Sequence, residues 1–147
     1  MNATSLSSVT RAVALACGAV VLSFSAHAAA GDKNAYEQTK RSAETTYDAA
    51  KKACDSMAGN AKDVCEKEAK LKRTMTEENA EAQYKNTAEA RYEAKEEIAE
   101  AQHELDKERC DDKSGAQKDA CTSEAKATYE KTKAAAKAEH DAAKARK

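Results

Sequence analysis

The chain has 147 residues, 35% of them charged and in near balance (26 acidic against 25 basic, net −1), with no proline or tryptophan. That balance excludes the strong positive field of a nucleic-acid binder. From residue 31 onward only Val64, Leu71, Ile98 and Leu105 are aliphatics larger than alanine, which excludes a thick globular core and points instead to long helices or a coiled coil.

The first segment differs from everything after it. Arg11 is the only charged residue before Asp32, and an apolar run extends from Ala12 to Phe24. Small residues at Ala26 and Ala28 flank His27, and Ala28-Ala29-Ala30 offers a second cleavage position. Residues 1–28 therefore read as a secretory signal peptide, too short in its apolar part to span a bilayer. Cys17 falls inside that apolar run and Ala14 stands where a lipobox has leucine, so Cys17 reads as part of the signal's core. The exported chain would begin near Ala29, place a short linker at 29–35, and live in the periplasm or cell envelope. Four cysteines remain after cleavage, and an even number in an exported chain reads as two disulfides.

The rest of the chain is one pattern written twice. Cys54-Asp55, Gly59, Lys62-Asp63, Cys65 and Glu68-Ala69-Lys70 recur 56 residues later as Cys110-Asp111, Gly115, Lys118-Asp119, Cys121 and Glu124-Ala125-Lys126. Residues 36–91 and 92–147 are thus two tandem units aligned without a gap. In the first, Tyr36, Ala43, Tyr47, Ala50, Cys54 and Met57 make a heptad seam, which resumes at Ala61, Val64, Leu71 and Met75. Between the two stretches, Gly59 is suited to ending a helix and Asn60 to capping the next, with Asp63 three positions on. Each unit is then a helical hairpin. The two cysteines of a unit lie equally far from its turn, so an antiparallel hairpin sets them face to face. This favours Cys54–Cys65 and Cys110–Cys121 among the three pairings that four cysteines allow. The fold class is all-α. The simplest architecture is an extended, coiled-coil-like arrangement of three helices at about 35–57, 61–113 and 116–145. A break near 74–78 or at Asn86-Thr87 gives a four-helix bundle instead.

Charge is uneven along this pattern. The stretch 77–112 is strongly acidic and 123–147 mildly basic, which suggests that the tail folds back on the middle. Asp63–Lys67 and Glu66–Lys70 are candidate i,i+4 pairs. Asp55 and Asp111 stand near helix C-termini, where a carboxylate opposes the helix dipole. A salt bridge across the turn to Lys62 and Lys118 accounts for them. Alternatively Asp55, Gly59, Lys62, Asp63 and their partners Asp111, Gly115, Lys118, Asp119 form an interaction turn. His103 and His140 occupy slots where the other unit has Tyr47 and Tyr84, which reads as seam packing rather than metal ligation, and no CxxC or HxxxH spacing accompanies them. No nucleophile elbow or phosphate loop is present, so no catalytic residue, cofactor or metal is expected.

The segments 54–70 and 110–126 resemble those of a group of small exported bacterial proteins rich in Ala, Lys and Glu. Some of that group carry cell-envelope labels through compositional similarity to the long helical domain of TolA. The resemblance implies an envelope location and supplies no catalytic residues. The expected function is a non-enzymatic periplasmic or cell-envelope scaffold or interaction protein stabilised by two local disulfides. Its partner would be an envelope protein or an anionic envelope polymer met by the basic tail 126–147, and the seam admits an oligomer. The alternatives are a periplasmic holdase, from the thin core and amphipathic helices, and a thiol- or metal-based sensor using the cysteines and histidines.

Overall fold

The computed structural model describes residues 31–146, and the expected signal peptide, its cleavage site and Cys17 lie outside them. The described chain is helical in four segments: α1 (Lys33–Cys54), α2 (Asn60–Lys85), α3 (Ala88–Cys110) and α4 (Gly115–Lys144). The single long middle helix is corrected to two. The break falls at Asn86, which takes the left-handed conformation (φ 49°, ψ 36°) and donates its N–H to the Ala82 carbonyl. Asn is one of the few side chains that tolerate that geometry. Thr87 then caps α3, its hydroxyl accepting from the Ala90 N–H at 3.0 Å.

Folding back at Asn86 is what gives the large aliphatics a partner. Leu71, Ala101 and Leu105 form the buried cluster, with Val64 and Ile98 packed against it, all on α2 and α3. On one continuous helix these side chains would lie along a rod with nothing equally apolar opposite them. Fully burying a leucine such as Leu71 or Leu105 contributes roughly 1.5–3 kcal/mol, and the partly buried Val64 and Ile98 add less.

The helices run antiparallel and pack in chain order, α1 on α2, α2 on α3 and α3 on α4, while α1 and α4 make no packed pair. The result is an open array with α1 and α4 as its edges. Inside the hairpins α1–α2 and α3–α4 the buried residues are alanine and cysteine: Ala43, Cys54 and Ala69 in one, Ala99, Cys110, Ala125 and Ala136 in the other. Small side chains let the helices approach closely. Rings fill the rest of each seam. Tyr36 stacks on Tyr84 at 4.8 Å, Tyr92 on His140 at 4.9 Å, and His103 on Tyr129 at 4.8 Å. The Arg73 guanidinium lies over Tyr47 at 4.2 Å, in the place where the other hairpin has Tyr129 over His103. The histidines therefore occupy stacked seam positions.

Two local expectations are corrected. Asn60 is the first residue of α2 rather than its cap, and its side-chain amide has no hydrogen-bond partner; Gly59 holds the cap position instead, its carbonyl accepting from Lys62 and Asp63 N–H. The pairs Asp63–Lys67 and Glu66–Lys70 do not form. Lys67 reaches across to Glu104 on α3 at 3.2 Å, and Glu66 is 4.0 Å from Lys62. A cross-helix carboxylate in a half-buried seam is better shielded from water than one on an exposed face.

Candidate functional site

The alternation of helix direction brings the α1–α2 and α3–α4 turns to one end of the array. The α2–α3 turn, the start of α1 and the end of α4 lie at the other. Each of the two turns is closed by a disulfide: Cys54–Cys65 with Cα atoms 5.8 Å apart, and Cys110–Cys121 with 5.7 Å. This separation lies inside the range a disulfide tolerates. Cys54 and Cys110 are fully buried beneath the tips.

Above each disulfide the turn is built in the same way. Gly59 and Gly115 have φ of +59° and +53°, and a Cβ at either would meet no neighbour. The requirement for glycine is conformational, not a matter of space. Lys62 Nζ donates to Asp55 Oδ1 at 2.9 Å, and Lys118 Nζ lies 2.9 Å from Asp111 Oδ1. The Lys62 hydrogen bond holds the Asp55 carboxyl below its usual pKa and holds the Lys62 ammonium above its own. Lys118 is raised in the same way by Asp111. Each ion pair answers the carboxylate's clash with the helix dipole, and it leaves the tip outlined by fixed charges. Asp63 and Asp119 are exposed beside the tips, and neither joins these ion pairs. The structure thus gathers the eight turn residues and four cysteines singled out in the sequence into two similar tips facing one way.

Elsewhere the acidic α3 and basic α4 are tied as the charge distribution suggested, by Lys133–Glu96 at 3.8 Å, Lys144–Glu89 at 3.6 Å and a close Lys95–Glu139 pair. His140 Nε2 lies 2.8 Å from Glu89, whose carboxyl it holds below its usual pKa. His103 Nδ1 is buried without a hydrogen-bond partner. The Arg73–Tyr47 stack and the bond from the Tyr36 hydroxyl to Glu81 at 3.2 Å were not anticipated. Both follow the antiparallel register that the cysteines set, in which partner residue numbers sum to nearly the same value.

Among the described residues no three His, Cys, Asp or Glu side chains are grouped to hold a metal ion. No helix there is long and apolar enough to cross a membrane. No protein-family model, curated protein or solved structure is detectably similar to this chain.

Proposed function

We propose that this protein is a non-enzymatic scaffold or interaction module of the periplasm or cell envelope, exported by residues 1–28. It presents its two disulfide-closed tips and its exposed helix faces to an envelope partner. The observation that carries this reading is the pair of disulfides at one end of the array. Disulfides of this kind persist in oxidising compartments, and here they clamp two similar, charge-outlined turns side by side. In a core made mostly of alanine the staples supply order that packing cannot, which suits a rigid spacer. Site-specific photocrosslinking in intact cells from the exposed tip positions Ser56 and Asp112 tests it. A discrete envelope adduct, lost when the probe is moved to the exposed Thr45 on the α1 edge, is the expected result. Absence of any discrete adduct from the tips sinks the reading.

A further inference from the structure

Each hairpin has one disulfide, one turn ion pair and buried alanines at two matching positions (Ala43 and Ala99, Ala69 and Ala125), so the positions where they differ are not dictated by the hairpin itself. The sharpest difference lies at the end away from the tips. There, a cleft of about 320 Å³ opens between α3 and α4. Its wall is alanine (Ala88, Ala136, Ala142, Ala143) with the stacked Tyr92 and His140, and its rim carries Arg91, Lys95 and Arg146. Glu139 is the one carboxylate in the lining, and Lys95 pairs with it. Arg91 donates from one nitrogen to the Asn86 side-chain amide oxygen (Oδ1) at 3.0 Å and has further N–H groups to give. Counting back 56 residues, hairpin 1 has Ala35 and Thr39 where the cleft has Arg91 and Lys95, and Gln83 where it has Glu139. The same end of hairpin 1 is crossed by main chain: the Gly31 N–H donates to the Tyr84 carbonyl, and a Cβ at Gly31 would sit 2.7 Å from Tyr84 Cα.

We infer that the α3–α4 cleft is a binding site for a small organic anion, a carboxylate or phosphate borne on a compact apolar or aromatic body. The volume falls at the low end for a small-molecule site, and an apolar wall with a few convergent polar groups is the usual composition of one. The guanidinium fork of arginine suits a planar carboxylate or a phosphate, and the Tyr92–His140 edge with its alanine wall suits the body. Hairpin 1 folds with neutral side chains at the same places, so the hairpin does not require these cations; Lys95 is shared with Glu139, while Arg91 has N–H groups left for the ligand. The site does not depend on the scaffold reading.

The test is an NMR titration of the oxidised protein with phenyl phosphate and with benzoate, using benzyl alcohol as the uncharged control. Saturable shifts confined to Tyr92, His140 and Ala143, with either anion tighter than benzyl alcohol, are expected. The tighter anion identifies the ligand's charged group. The double variant Arg91→Ala/Lys95→Thr carries the residues hairpin 1 has at those two positions, and with or without Glu139→Gln, which neutralises the carboxylate it leaves unpaired, it should weaken binding about tenfold or more. Arg146→Ala, beyond the end of α4, should weaken it without touching a packed residue. The inference is overturned by any of three results. These are no saturation up to about 10 mM, a range that covers even weak specific binding; equal shifts at Tyr36 and Tyr84; or unchanged affinity in the double variant.

Discussion

Glu78 shows how little it takes at one residue to shift this fold. It lies half-buried on α2, where desolvation comes first, then Glu81, Glu97 and Glu77, in holding its carboxyl above the ordinary pKa; Lys40 opposes them weakly. An acid whose folded pKa is raised penalises the folded state while it is charged. The penalty is present above that raised pKa and is relieved as pH falls through it toward the ordinary glutamate range. Glu78→Gln should therefore raise Tm at pH 7, by roughly 1–3 °C for a half-exposed site. The gain should shrink toward pH 4, as wild-type Glu78 takes up its proton on the way through its raised pKa. Thermal melts at the two pH values check this, and an equal gain at both would mean the charge is not the cause. Glu104 has the opposite sign. Hydrogen bonds from Lys107 and Lys67 hold its carboxyl low, so it stabilises at neutral pH and that contribution is lost as pH falls through its depressed pKa.

The helices depend on different glue, and this decides the order in which they come apart. The α2–α3 pair holds every large aliphatic of the described chain. The α1–α2 and α3–α4 pairs rely on alanine contacts, stacked rings and one disulfide each, a closure worth roughly 3 kcal/mol in the chain-entropy model. Reduction should therefore loosen the outer helices first. Hydrogen exchange after reduction should show fast amides throughout α1 and α4 while those around Leu71 and Leu105 stay protected. Uniform loss of protection would show that the four helices form one cooperative unit. At this scale much was legible beforehand. Cys54, Gly59 and Cys65 announce a hairpin because their spacing is symmetric about the turn, and so do Cys110, Gly115 and Cys121. The cap falls on Gly59 rather than Asn60, a choice the residue types do not make, because Asn and Gly both serve at that position and differ by only a few tenths of a kcal/mol.

As a whole, the array ends where its aliphatic residues end. Counting 56 residues from the α2–α3 seam, the α4 counterparts of Val64 and Leu71 are Ala120 and Ala127, and the α1 counterparts of Ile98, Ala101 and Leu105 are Ser42, Thr45 and Ala49. All five are exposed. The outer faces of α1 and α4 thus have the geometry of the inner seam without its apolar content, as the terminal units of a stacked array require for solubility. Restoring that content should make the molecule add to itself head to tail, because the α4 edge would match the α1 edge of another copy and the contact does not close. The quadruple variant Ala120→Val, Ala127→Leu, Ser42→Ile, Ala49→Leu should show a mass by light scattering that climbs with concentration above that of the wild type. No change in mass would mean that edge composition is not what ends the array.

Helicity, the two hairpins, the cysteine pairing and the cross-turn contacts at Asp55 and Asp111 were already determined by the sequence. Each depends on residues close together in the chain, where propensity, turn chemistry and spacing act directly. The division of the middle helix at Asn86 was not. A lone Asn costs a helix only a few tenths of a kcal/mol more than its neighbours, far less than the burial gained when Leu71 meets Ala101 and Leu105. The partners of Lys67 and Arg73 were open for the same reason, since a long side chain has several carboxylates and rings within reach until the helices dock. Those choices, and the cleft between α3 and α4, belong to the tertiary structure because they depend on which distant surfaces meet.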